Sequence, residues 1–311
     1  MEVQKAIRFW LPRAWIVASA LMVVTVGVPT AHDLIFLWLG LGMAAFSATD
    51  LRHRVPRLLI EWAPFVAVLF VYDRLRGFAD GLLFNARELP QIHAENVLFG
   101  RPAPTVWLQS HLWHGANHLR WWDYATWFVY LTHFFATLVV AAVLWTWAHD
   151  RFARYATMVC VLALTGFTTY VLYPAVPPWL AARHGNLGEA NRTIGIVWAE
   201  VPLAHFGSLF EKGQHYANNV AAIPSLHAAY ALLISLYLWR LVPRWGRLPL
   251  ALYPPAMTFA LVYSGEHYVV DCLAGWLYAV SAFVAVNLVF DRRGGARAVR
   301  AGTRGLNVRV G

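Results

Sequence analysis

Eight stretches of this chain are apolar enough to cross a bilayer, which restricts the fold to a helical bundle. They lie at about 14–30, 31–48, 58–72, 124–148, 156–173, 223–241, 248–264 and 268–290. A spanning helix needs roughly 20 mostly apolar residues. Hydrocarbon offers backbone groups no partner outside the segment, so each stretch folds as a helix. The third is short and interrupted by Pro64, and only "VPTAHD" separates the first two. Charged residues make up 13% of the chain and mean hydropathy is +0.49, whereas soluble domains carry about 25% charged residues. The expected class is an all-α, polytopic membrane bundle of about eight spans, its last five or six forming the core.

The charge distribution orients this bundle. A net charge of +9 would suggest nucleic acid in a soluble chain. Here the basic residues form short runs between apolar stretches, a pattern that sets membrane orientation and argues against a nucleic-acid partner. With both termini cytoplasmic, the inner segments hold 17 of the 25 Lys and Arg residues. The rest are spread over outer loops 73–123 and 174–222. Four regions follow: N-terminal spans (1–72), an outer interfacial or lid segment (73–120), a catalytic core (121–290) and a basic cytoplasmic tail (291–311). The start "MEVQKAIRFWLPRAW" lacks a small-residue cleavage site and reads as leading into a retained span, while the Gly/Arg-rich tail reads as disordered. Cys160 and Cys272 fall at opposite membrane faces, which argues against a disulfide.

Two polar clusters meet the outer face. In "YSGEHYVVDCLAGW" (263–276), His267 and Asp271 are four residues apart, on one face if a helix starts there. An intramembrane Asp needs a partner, and a carboxylate that accepts from one ring nitrogen leaves the other's lone pair free to attack. The same pair could also do no more than satisfy each other in a bundle. In "AAIPSLHAAYALL" (221–233), Pro224 suits the first turn of a helix. The backbone N–H groups of Ser225, Leu226 and His227 would then point out at its positive end, where phosphate binds readily. Ser225 adds a hydroxyl donor, and His227 can hold a proton over a group leaving phosphorus.

A Pro-Ser-x-His sequence opening one span, followed some forty residues later by His-x-x-x-Asp opening the last, resembles the type-2 phosphatidic acid phosphatase superfamily of membrane phosphatases and phosphotransferases. The forms "PSLH", "YSGEHYVVDCLAG" and "YPAVPPW" (173–179) resemble more narrowly its inositol phosphotransferase branch, that of yeast inositol phosphorylceramide synthase. The resemblance covers roughly residues 120–290. It implies that His267 is the nucleophile of a phosphohistidine, that Asp271 orients it, that His227 protonates the leaving oxygen and that Ser225 holds phosphate. No metal or other cofactor is implied. The expected partners are a lipid phosphate or phospholipid donor and an acceptor that is either water or a hydroxyl of inositol, a sugar or a lipid.

The chain departs from the phosphatase pattern at two points. Leu261 stands where those members carry an Arg six residues before the nucleophile, and their Lys and Arg-Pro motif is missing from 174–222. A dehydrated phosphate wants a guanidinium or ammonium. Arg192 in "NRTIG" is the first candidate and Arg183 the second, with Lys212 in the same loop; each could equally be a solvated charge. His111, His114 and His118 would share one face of a helix, but the surrounding Trp107, Trp113, Trp121 and Trp122 favour an interfacial element over a zinc site. "VLYPAVPPWL" (171–180) reads as a stiff exit from the membrane and a wall of the substrate entrance. A different class of function, a transporter or proton relay using the same His and Asp residues, would run through the membrane instead of clustering at one face.

Overall fold

The computed structural model describes residues 2–25, 32–76, 84–201 and 220–307. These form helices α1 (Glu2–Thr25), α2 (His32–Phe46), α3 (Leu51–Arg76), α4 (Leu89–Phe99), α5 (Pro104–Leu112), α6 (Trp121–Trp147), α7 (His149–Leu172), α8 (Pro178–Arg183), α9 (Thr193–Glu200), α10 (Leu226–Leu238), α11 (Arg247–Tyr263) and α12 (Val269–Asn307). No strand occurs among the described residues; isolated bridges join Ala175 to Arg87 and Ala221. Four of the described helical segments are long and apolar enough to cross a membrane: Gln4–Thr25, Trp121–Trp147, His149–Leu172 and Val269–Arg292. Leu34–Phe46 and Leu226–Leu238 are shorter apolar segments. This is the helical bundle of a multi-pass membrane protein.

Helix α10 sits at its centre, packed on α6, α7, α11 and α12. Leu138, Val159, Leu162, Leu233 and Ala279 fill the space between these helices and are almost wholly buried. On the outer surfaces Phe128, Leu164, Leu277 and Val284 are exposed, as lipid-facing side chains would be. Small residues set the closest approaches. A Cβ on Gly166 of α7 would meet the Leu226 side chain, and one on Gly275 of α12 would overlap the Ser225 carbonyl oxygen. Helices α2 and α3 flank the bundle through α6 and α7, and α1 packs on α2.

One in-helix proline is accommodated by a partner that takes over the freed backbone group. In α11, Pro254 has no N–H to give the Leu250 carbonyl, which instead accepts from Ser235 Oγ of α10 at 2.7 Å. Pro64 likewise lies inside a continuous α3, so it does not interrupt that segment as the sequence suggested. Helix α12 continues to Asn307, through the tail expected to be disordered. No proline follows Asp291 to stop it, and its Ala and Arg residues are strong helix formers. Cys160 and Cys272 are both free thiols.

Candidate active site

The site forms at one end of the bundle, where α10 and α12 begin and α11 ends. "YSG" closes α11 by a Schellman motif: Gly265, at φ +76°, donates to Val262 O, and Glu266 N–H donates to Leu261 O at 3.0 Å. Glycine is needed here because the left-handed conformation penalises a Cβ, which would also press on Asn191 O. The chain then reverses, so His267 lies just outside α12 with Tyr268 as the residue before its first turn.

His267 is nearly buried, and its two ring nitrogens have different neighbours. Nδ1 lies 2.8 Å from the Ala222 carbonyl oxygen, and Nε2 lies 3.4 Å from His227 Nδ1. A carbonyl can only accept, so Nδ1 carries the proton and the Nε2 lone pair is directed towards His227. Asp271 is 3.8 Å from Nδ1, an ionic distance, and its Oδ2 instead accepts from Tyr268 N–H at 2.9 Å. The hydrogen-bond acceptor that orients the ring is therefore a backbone oxygen. The sequence places His267 and Asp271 together on the first turn of a helix; His267 precedes that helix, which draws its ring towards Ala222.

The other motif also differs in detail from its expected form. Ser225, fully buried, is the N-cap of α10, with Oγ accepting from Ala228 N–H at 3.4 Å. Pro224 thus sits before the cap and not in the first turn, and its carbonyl accepts from Tyr170 Oη at 2.9 Å. Ser225 N–H, expected to point out unpaired, donates to the Asp271 carbonyl at 2.9 Å. That bond ties the two motifs together. The Ser225 hydroxyl is a structural cap here, because burial between α10 and α12 turns it inward.

His227 is held among aromatic rings. Its ring stacks on Tyr130 at 5.2 Å and lies 3.8 Å from the ring of His133, both on α6. The sequence reading missed His133, although a histidine in the middle of an apolar span is itself a signal of function.

Arg192 reaches the site and Arg183 stays at its edge. Arg192 precedes α9, and its Nε and Nη2 donate to the two carboxylate oxygens of Glu266 at 2.6 and 3.2 Å. Burial works against its charge, but the Glu266 carboxylate outweighs this and holds the guanidinium pKa above its usual value. Its guanidinium also lies 5.1 Å from the Trp179 ring, and that of Arg183 lies 4.9 Å from the same ring. Lys212 lies outside the described residues. Leu261 is fully buried in the core, where it cannot substitute for an arginine at the site.

Other residues fix the loops. Trp179 N–H donates to Gly265 O, and Ala222 N–H to Ala175 O, so "PAVPPW" joins both motif loops. Gln109 Nε2 donates to Asn191 O and Tyr263 O at 2.9 and 2.8 Å. Tyr263 Oη donates to Asp123, whose other oxygen accepts from Arg120 N–H at the start of α6. Asp123 thereby links α6 to the end of α11. Helix α5 ends at Leu112, and Gly115 at φ +93° turns the chain, so His111, His114 and His118 do not share a helical face. His111 stacks on Trp107, and His114 approaches Trp122.

The PAP2 superfamily profile covers residues 103–285, more than half of the sequence, and the chain belongs to that superfamily. Among its relatives, a phosphoinositol dihydroceramide synthase of Bacteroides thetaiotaomicron is 30% identical over 41% of this chain and 45% of its own length. The inositol phosphorylceramide synthase catalytic subunit of Schizosaccharomyces pombe is 27% identical over 73% of this chain and 52% of its own. An inositol phosphorylceramide synthase of Candida albicans is 23% identical over 52% and 35%. The matches thus span about half or less of each relative's length. No solved structure matches the chain.

Proposed function

We propose that the protein is a membrane lipid phosphotransferase that moves a phospho-headgroup through a covalent intermediate on His267. The observation that carries this reading is the state of the His267 ring: Nδ1 is committed to the Ala222 carbonyl, and Nε2 faces a second imidazole. In the first step Nε2 attacks phosphorus, an N–P bond forms, the donor's P–O bond breaks, and His227 gives its proton to the departing oxygen. In the second, His227 takes the proton of an acceptor hydroxyl, the new P–O bond forms and the N–P bond breaks. The rings part to admit the phosphorus. Asp271, 3.8 Å from Nδ1, offsets the positive charge on the phosphorylated ring. Every proton and bond is accounted for without a metal.

The relatives' names favour phosphoinositol as the group transferred and a ceramide-type hydroxyl as the acceptor; with water in its place the same chemistry is phosphodiester hydrolysis of the phospholipase C type, and a phosphomonoester donor with water would make it a lipid phosphatase. In our reading the chain crosses the membrane eight times with both termini cytoplasmic, which places the site in the outer leaflet, supported by the distribution of basic residues. The test is an assay of purified protein in chelator, given a phosphoinositol lipid with and without dihydroceramide. The expected result is phosphoinositol transfer that exceeds hydrolysis when the acceptor is present. Hydrolysis unaffected by acceptor would make the enzyme a lipid phosphodiesterase and overturn the transferase reading.

Arg192 serves as the phosphate-binding cation, held ready by Glu266. Replacing it with Ala removes the charge and leaves Glu266, next to the nucleophile, without its partner. Arg192→Ala and Glu266→Gln should therefore be non-additive, with a coupling of about 1–3 kcal/mol in a double-mutant cycle on kcat/KM. Arg192→Ala with unchanged KM and kcat would remove Arg192 from the site.

A further inference from the structure

Helix α4 is inverted relative to an ordinary surface helix. Leu89, Val97, Leu98 and Phe99 are exposed, whereas Gln91 and Glu95 are buried, Glu95 completely. An interfacial helix that turns its apolar face to lipid and its polar face to the protein has this pattern. The buried face lies against the start of α12, with Ile92 packed beside Val176, Ala181 and Tyr268. Glu95 lies outside the residues matched by the family profile.

A buried carboxyl needs a reason to be there. Glu95 Oε1 accepts from Val270 N–H at 3.0 Å, satisfying one of the orphan donors of the first turn of α12. Asp271 satisfies another, that of Tyr268. Two carboxylates therefore hold one helical turn, the turn that follows His267 and carries Asp271. Glu95 Oε2, Asp271 Oδ1, Tyr268 Oη and the Gln91 amide are buried there without a hydrogen-bond partner.

We propose that Glu95 is a positioning residue for the reaction, which in its neutral form clamps the first turn of α12 and so holds Asp271 in register with His267. Two such carboxylates do not both ionise readily in a buried place, and Asp271 has the imidazole as its partner. Glu95 is the one left to carry a proton. The surrounding charged and titratable groups are consistent with this: Asp271, His267 and Tyr268 from the last motif, Glu88 at the start of α4, and His184 at the end of α8, which pairs with Glu88 at 3.2 Å. Burial first, and then the Asp271 charge, push the Glu95 pKa up from 4.5 to about 7, against the Val270 hydrogen bond that lowers it.

A carboxyl whose pKa is higher in the folded chain binds its proton more tightly there. Its stabilisation is full below 4.5 and is lost as the pH rises to about 7. Glutamine copies the neutral form at every pH. The experiment measures melting temperature and transfer kinetics from pH 5 to 9 for wild type, Glu95→Gln and Glu95→Ala. Wild type and Glu95→Gln should lie closest at pH 5 and separate as the pH rises to about 7, the gap then staying constant, with the glutamine variant the more stable and the slower to lose kcat. Glu95→Ala should lose about tenfold or more in kcat with little change in KM, since it removes the clamp and no substrate contact. Coincident melting profiles for wild type and Glu95→Gln across the whole range would overturn the proposal. The kinetic arm rests on the phosphotransferase reading, but the melting arm does not: an inactive wild type would contradict that reading alone, and the melting profiles would still decide the role of Glu95.

Discussion

His267→Ala loses transfer by at least about 10^4-fold, the scale of deleting a covalent nucleophile, and lowers the melting temperature as well, because buried Asp271 loses its ionic partner. The His267 side chain is buried but belongs to none of the apolar clusters, so the fold around it is kept. Its hydrogen-bond contact is with Ala222 O, whose loop is independently held by Ala222 N–H on Ala175 O. His227→Ala should fall by about 10^2–10^4-fold, the contribution typical of a general acid and base. Its loss should be smaller with a donor whose leaving group needs no proton, such as a nitrophenyl ester. For His267→Ala no leaving group helps, because the bond to phosphorus has no atom to form on. Kinetics with both donors for the two variants check this; equal losses with both donors for His227→Ala would remove it from proton transfer.

The second large effect concerns packing. Gly275→Ala should destabilise the fold by about 3 kcal/mol or more, at the upper end of overpacking costs, because the added carbon meets the Ser225 carbonyl and the Ala229 amide. Those are backbone atoms at the start of α10, with no rotamer to move. Relief requires α10 and α12 to separate, and the Ser225 N–H bond to Asp271 O breaks with them. Stability and activity should fall together. Gly195→Ala in α9 is the control: a Cβ there has nothing within 4 Å, and a glycine to alanine change at an unstrained site stabilises by about 0.4–1 kcal/mol. Thermal melts of both variants in detergent measure the contrast. A Gly275→Ala protein as stable as wild type would mean the helices do not pack at this distance.

Residue types that are costly inside an apolar helix stand out in the sequence. His227, His267 and Asp271 stand out because polar groups opening apolar helices are costly, and the fold does bring His227 and His267 within 3.4 Å of each other. The apolar runs likewise marked where the long helices fall. What was not legible comes from segments distant in sequence, or from the backbone. The partner of His267 Nδ1 is the carbonyl of an alanine, which leaves no trace in a side-chain pattern. Gln109 binds residues more than eighty positions away, and Glu95 binds Val270. In sequence each resembles any polar residue of an interfacial loop. Ser225 suits both a phosphate donor and a helix cap by residue type, and the fold shows it buried with its Oγ capping α10. The possible shared helix for His111, His114 and His118 does not form, because α5 ends at Leu112 and Gly115 turns the chain.

The central claim is a covalent bond from phosphorus to His267 Nε2. It is tested most directly by incubating the protein, in chelator and without acceptor, with donor labelled at phosphorus, quenching in base and mapping the label to a peptide. The predicted result is an acid-labile, base-stable label on His267 that disappears when acceptor is added and does not form in His267→Ala. Label on another residue, or undiminished in His267→Ala, would contradict the account.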